Sequence, residues 1–257
     1  MKTPKLLNYQ DIGHGSVVVL LHGYMASSRY WAQVSDTLAQ SHRVISIDLL
    51  GFGKSPKPGC SRYDYDAHMA SINATLDSIG IDEPFTLVGH SMGALVSLRY
   101  ASIHPLKVSK LLLTNMPIFL DAKLAREEIM GTNIFYKIGL RPGLNTIVMG
   151  LFKLITVLRL LPNKVGDGAA SRRTYIFQST AASRLRSLRN VIYSAKIEAD
   201  LAAVTATTVI LSGLDDRIGY IRDLGKLNTL SGNITTTSVA GGHHLPLLRP
   251  DLVASFI

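Results

Sequence analysis

A serine hydroxyl is a weak nucleophile unless its surroundings change it, and the segment Gly89-His90-Ser91-Met92-Gly93 is built to do so. It matches the G-x-S-x-G pattern, directly after the apolar run Phe85-Thr86-Leu87-Val88 and at the start of a helical pattern from Met92 to Ile103. Glycines on either side let a serine occupy a tight, strained strand-to-helix turn. The helix N-terminus beyond it favours negative charge. Such a serine needs a base within hydrogen-bond reach, and the base needs an orienting carboxylate. His243 and His244, in Gly241-Gly242-His243-His244, are the candidate bases. Asp215 and Asp216, in Ser212-Gly213-Leu214-Asp215-Asp216, are the candidate acids. An acyl-transfer site also needs two backbone N–H groups aimed at the developing oxyanion. Met92, after the serine, offers one. Tyr24, after the turn Leu21-His22-Gly23, offers the other.

These segments must be carried by something rigid. Short apolar runs read as buried strands: Val17 to Leu21, Arg43 to Asp48, Phe85 to Val88, Val108 to Thr114, Thr207 to Leu211 and Ile234 to Val239. They are continuous and rich in β-branched residues, the pattern of strands covered on both faces. Helical patterns lie between them at Tyr30 to Ala39, Asp66 to Ile79, Met92 to Ile103 and Ile221 to Leu230. Strand alternating with helix predicts an α/β fold with a mostly parallel, doubly wound sheet. In such sheets ligands sit at the C-terminal ends of the strands, where all four chemistry-bearing segments fall.

The rhythm breaks between about Pro117 and Asp200. We read residues 117–200 as a helical cap inserted into one domain spanning 1–257, whose core is 1–116 and 201–257. From Ile118 to Asp200 there are five lysines and eight arginines against three aspartates and three glutamates, a net +7 of the chain's +9. Within it, Leu144, Ile147, Leu151, Leu154, Ile155, Leu158 and Leu161 fall on one helical face, with Asn145, Lys153, Thr156 and Arg159 opposite. This stripe is expected to pack on the core and line an apolar acyl pocket. A basic surface implies an acidic partner, here an anionic membrane surface or an acidic carrier. The insertion has few aromatics and no nucleic-acid motif, so nucleic acid is not expected.

With the segments assembled, the chain resembles the α/β-hydrolase fold superfamily, of the type with a Ser-His-Asp triad and a helical cap. The matching segments are Leu21 to Tyr24, Asp48-Leu49-Leu50-Gly51-Phe52-Gly53-Lys54-Ser55, Gly89 to Gly93, Gly213 to Asp216 and Gly242 to Pro250. Leu50 stands where the family usually has proline. The family's G-x-x-D turn carries over to Asp216 rather than Asp215. Its histidine after a glycine, with a proline seven residues on, carries over to His243, while His244-Leu245-Pro246 keeps His244 open. The resemblance implies a catalytic set of Ser91, Asp216 and His243, an oxyanion hole from the Tyr24 and Met92 N–H groups, and no cofactor or metal. The expected activity is cleavage of an acyl ester through an acyl-enzyme, on a small, apolar acyl substrate. A carbon–carbon bond hydrolase, a cofactor-free peroxidase-like enzyme, and a non-enzymatic small-molecule receptor retaining the triad are the alternatives.

Several matches lead elsewhere and fail. Gly53-Lys54-Ser55 resembles the end of a phosphate-binding loop, but the glycine that loop requires falls on Asp48. His243 and His244 lack a third metal ligand at suitable spacing. His22 and His90 are read as structural. Cys60 is the only cysteine, which excludes an intrachain disulfide and fits a reducing cytoplasm. Met1 to Asp11 carries only Leu6-Leu7 as an apolar pair, too short for a secretory core. Leu144 to Leu161 carries Lys153 and Arg159 and makes a poor membrane span. The expected setting is cytoplasmic, with peripheral contact at the membrane.

Overall fold

The computed structural model describes residues 3–118, 178–216 and 232–257, with single helical positions at 127, 147 and 227. Seven strands form one sheet: β1 (Tyr9–Ile12), β2 (Ser16–Leu21), β3 (His42–Ile47), β4 (Phe85–His90), β5 (Val108–Thr114), β6 (Thr207–Gly213) and β7 (Ile234–Val239). Their order is β1-β3-β2-β4-β5-β6-β7. Every pairing is parallel except that of β1 with β3. The predicted mostly parallel, doubly wound α/β sheet is therefore the observed one.

Alternation along the strands explains the two layers. Val19 and Leu21 of β2, Ile45 and Ile47 of β3, Leu87 of β4, and Leu111 and Leu113 of β5 share one core. It also holds Ile72 and Leu76 of α2 (Tyr65–Ser78), Leu95 and Leu98 of α3 (Met92–Ile103), and Leu201 further along the chain. The residues between them, Val18, Leu20, Val44, Val88 and Leu112, point to the opposite face. There they meet Trp31 and Val34, at and beyond the start of α1 (Ala32–Leu38), together with Leu245 and Val253 near the C-terminus. A strand buried on both faces needs apolar side chains at every position, and this is why those runs are legible as strands.

Beyond β5 the chain resumes with α4 (Ala181–Ser187), a single π turn (Leu188–Ile192) and α5 (Ile197–Ala203). Short helices α6 (Leu245–Leu248) and α7 (Pro250–Ala254) close the chain. Because β5 pairs directly with β6, residues 115–206 form a connection between two neighbouring strands. Its described end is tied to the core through carbonyl oxygens. Arg186 donates to Gly59 and Ser61, Asn190 to Arg62, and the Tyr65 hydroxyl to Val191.

Three departures from the sequence reading have simple causes. Strand β1 was not expected because all four of its residues are exposed, so it carries no apolar run. It is an antiparallel edge strand tied to β3 by an Arg43–Asp11 ion pair of 2.8 Å. Strands β4 and β6 run two residues past their apolar stretches, because Gly89, His90, Ser212 and Gly213 still pair with neighbours. The helix expected from Tyr30 begins as a 3-10 turn, Ser28–Trp31, before α1. The amphipathic stretch Leu144 to Leu161 lies outside the described residues except Ile147, which is helical and exposed. So does Ile221 to Leu230, except Leu227, which is helical and buried.

Candidate active site

Ser91 lies at the junction of β4 and α3 with φ 52° and ψ −120°. A non-glycine residue there is strained by about 1–3 kcal/mol and persists only when its surroundings over-determine it. They do. The Ser91 N–H donates to the Thr114 carbonyl at 3.0 Å, and the Ser91 carbonyl accepts from Ala94 at 2.9 Å and Leu95 at 3.3 Å. The Thr114 hydroxyl donates to the Gly89 carbonyl at 3.1 Å, tying β5 to the same turn. The flanking glycines are demanded by contact. A Cβ on Gly89 would lie 2.5 Å from the Ala94 Cα, and one on Gly93 would lie 2.3 Å from the Leu21 carbonyl oxygen.

The loop after β2 presses against this turn. A Cβ on Gly23 would sit 3.1 Å from the Ser91 Cβ and 2.8 Å from His90 Nδ1. His22 is fully buried, and its two nitrogens have separate tasks. Nδ1 faces the Gly23 carbonyl at 2.8 Å and must donate, while Nε2 accepts from the Leu49 N–H at 2.9 Å. This fixes a neutral tautomer, and burial lowers the pKa of the ring. The Gly23 oxygen and the Tyr24 N–H belong to one planar peptide, so holding the oxygen also aims the N–H. Asp48 anchors the rest of this wall. Buried, it accepts from the Ser28 N–H at 2.6 Å, the Lys54 N–H at 2.7 Å and the Asn8 amide at 2.9 Å. Met92 opens α3, so its N–H is among those with no acceptor inside the helix.

In the loops after β6 and β7, His243 Nδ1 lies 2.9 Å from Asp216 Oδ2. The Asp216 side chain is 0% exposed and that of His243 is 20%. The carboxylate is thus sealed from water, while the ring stands where a solute can reach it. The neighbours are placed differently. Asp215 is exposed and its N–H donates to the Gly241 carbonyl at 2.8 Å. His244 directs Nδ1 to the Tyr30 hydroxyl at 3.3 Å. Of the two candidate pairs, the structure brings together Asp216 and His243.

Two further residues touch this machinery and were not singled out from sequence. Asn115 follows β5 with φ 47°, and its amide donates to Asp216 Oδ2 at 2.7 Å and to the Gly242 carbonyl at 3.3 Å. A polar residue ending a buried strand at the sheet's C-terminal edge was the available signal. Tyr30 places its hydroxyl 3.0 Å from His90 Nε2 and stacks on that ring. Among the described residues, no cluster of metal-ligating side chains occurs. Among the same residues, no helix is long and apolar enough to cross a membrane.

Comparison with known proteins agrees with this fold. A family model described as the alpha/beta hydrolase fold matches residues 16–133. "Probable lysophospholipase BODYGUARD 1" of Arabidopsis thaliana is 36% identical over 107 residues, 40% of this chain and 23% of that protein. A cis-3-alkyl-4-alkyloxetan-2-one decarboxylase of Shewanella oneidensis is 31% identical over 137 residues, 49% of this chain and 43% of that protein. The chain thus spans less than half the length of these curated relatives. Among solved structures, an esterase from Exiguobacterium antarcticum superposes with a TM-score of 0.76 at 20% identity, covering 97% of this chain and 93% of that one. A membrane phospholipase A described as a bacterial virulence factor does so at 0.74 and 22%, covering 97% and 80%. The matched segment, the strand order and the superpositions lead to one conclusion: the chain has the α/β-hydrolase fold.

Proposed function

We propose that this protein is a serine hydrolase that cleaves an acyl ester. Ser91 Oγ attacks the acyl carbonyl while His243 takes its proton and passes it to the departing alcohol. Asp216, on Nδ1 of that ring, selects the tautomer whose Nε2 carries no proton and stabilises the imidazolium that forms. The Tyr24 and Met92 N–H groups receive the negative charge developing on the carbonyl oxygen. Water, deprotonated by the same histidine, then frees the acid from the acyl-enzyme and restores Ser91. The observation that carries this reading is the strained turn at Ser91 in a site where His243 stands 2.9 Å from a sealed carboxylate. No step calls for a metal or an organic cofactor.

The substrate reading is an apolar acyl ester. The relatives named above include a protein described as a "Probable lysophospholipase" and a decarboxylase of an alkyl-substituted oxetanone, a cyclic ester. The insertion between β5 and β6 acts as the cap that selects the chain, and its net +7 draws an anionic membrane surface or acidic carrier. A cytoplasmic setting with peripheral membrane contact fits this charge and the lone Cys60.

The test is kcat/KM across p-nitrophenyl esters from two acyl carbons upward. Each buried methylene gains about 0.8 kcal/mol, so the profile should climb until the pocket fills. A flat or falling profile would remove the apolar pocket. Binding to anionic rather than neutral vesicles should weaken with salt, since screening sets in over about 8 Å at physiological ionic strength. Equal, salt-insensitive binding to both would remove the surface contact.

A further inference from the structure

The base-bearing loop has a problem to solve. Gly241 and Gly242 precede His243, and Gly241 has φ 139°, a conformation open to glycine. A glycine pair gives the loop its path but no side chains to hold it, and glycine loses the most freedom on ordering. A close approach explains part of that path: a Cβ on Gly213 would lie 2.3 Å from the Gly241 carbonyl oxygen. What then fixes the direction of the His243 side chain?

The two peptide planes flanking the His243 Cα each meet a side-chain donor. The Gly242 carbonyl accepts from the Asn115 amide at 3.3 Å. The His243 carbonyl lies 2.7 Å from His90 Nε2. A carbonyl only accepts, so that nitrogen carries the proton and His90 is the Nε2–H tautomer. The other nitrogen, Nδ1, is buried with no hydrogen-bond partner among the described residues and faces Gly23, where a Cβ would approach to 2.8 Å. The tautomer is thereby consistent from both ends: a bare acceptor lone pair is the form that needs least from that contact. Tyr30 completes the arrangement, stacked on His90 with ring centroids 4.5 Å apart and bonded through its hydroxyl to His244.

We propose that His90 and Asn115 form a two-point clamp on the base-bearing loop, as positioning residues that act through His243 and Asp216. Pinning the peptides on both sides of one Cα leaves its Cα–Cβ bond a single direction. The anchors are themselves rigid. His90 is the last residue of β4, one position before Ser91, and Asn115 follows the last residue of β5. The nucleophile and the loop carrying its base are therefore held from adjacent positions on one strand. Asn115 adds a second effect, because the amide on the Gly242 carbonyl also holds Asp216 Oδ2. This inference rests on the serine-hydrolase reading above.

The experiment compares His90→Leu, which removes the donor, with His90→Gln, whose amide nitrogen reaches a position like Nε2. Asn115→Gly keeps the left-handed backbone and removes the amide. Turnover of p-nitrophenyl butyrate is measured with the active fraction titrated by a fluorophosphonate. Misplacing a catalytic group by about 1 Å costs up to roughly 100-fold in rate. His90→Leu should therefore lower kcat by about 10- to 100-fold per titrated site, with KM little changed. His90→Gln should recover most of that loss. Asn115→Gly should also lower kcat per titrated site, and its loss should fall short of multiplying with that of His90→Leu, since both act on one loop. A merely structural role would instead lower melting temperature and titrated fraction while leaving kcat per site intact, and that result overturns the clamp. So does a His90→Gln variant that folds but is no faster than His90→Leu. If His90→Leu does not fold, His90→Gln at near wild-type kcat beside a slow Asn115→Gly supports the clamp, and a fast Asn115→Gly overturns it. A wild-type protein that neither turns over esters nor reacts with the fluorophosphonate fails at the level of the serine-hydrolase reading itself.

Discussion

The two walls of the site are held by opposite means. On the proposed oxyanion side a buried acceptor gathers donors: Asp48 receives two backbone N–H groups and an amide from three separate segments. On the acid–base side, donors gather acceptors: Asn115 and His90 reach two loop carbonyls and a carboxylate oxygen. The first wall is a hub whose loss leaves three donors unmatched at once. The second is a pair of separate struts on a glycine-rich loop. Damage to the hub should appear mainly as instability. Damage on the other side should appear mainly as lost chemistry.

The largest effects are expected on the acid–base side. His243→Ala should cost roughly a million-fold in turnover and Asp216→Asn roughly 10⁴-fold, with the fold retained. His244→Ala and Asp215→Asn should cost far less. Asp215 is exposed, and His244 turns its Nδ1 to the Tyr30 hydroxyl. Comparing the four variants on one ester at one pH decides this, and a reversed order in either pair would move the assignment by one residue.

On the oxyanion side, Asp48→Ala should act on stability. Three donors lose their acceptor, a cost of about 3 kcal/mol once water relieves some of them. For a chain of this size that lowers the melting temperature by roughly 6–12 °C. An unchanged melting temperature by calorimetry would show that the hub is dispensable.

The smallest effect concerns acid. His22, His68 and His90 are fully buried, and burial lowers the pKa of each below 6.5, that of His68 to about 4. Near pH 7 all three are neutral and carry no penalty. Below pH 6.5 the unfolded chain takes up protons that the folded chain refuses, so stability falls as pH falls. His68 alone accounts for about 3 kcal/mol by pH 4. Neither of its nitrogens has a hydrogen-bond partner among the described residues, so His68→Leu should leave stability at pH 7 nearly unchanged and reduce the loss between pH 6.5 and 4. Denaturant melts across that range test this, and an undiminished slope would contradict it.

Legibility in the sequence followed burial. Strands covered on both faces announce themselves, as Val18 to Leu21 do, because every position must be apolar. Strand β1 has no covered face and leaves no such mark. The chemistry-bearing segments were legible because glycine contacts constrain them: Gly89 and Gly93 each sit where a Cβ would strike backbone. Choosing His243 over His244, and Asp216 over Asp215, needed the resemblance, since both neighbours lie on one short loop. Asn115 and Tyr30 escaped because their partners are 101 and 60 residues away in the chain. No local pattern encodes a hydrogen bond between the ends of different strands.

The central claim is that Ser91 is the nucleophile, and a fluorophosphonate tests it most directly. The wild-type protein should take up one equivalent as esterase activity disappears. Peptide mapping should place the adduct on Ser91, and Ser91→Ala should neither react nor turn over. An adduct at another residue, or a folded Ser91→Ala variant with near-native turnover, would contradict the account.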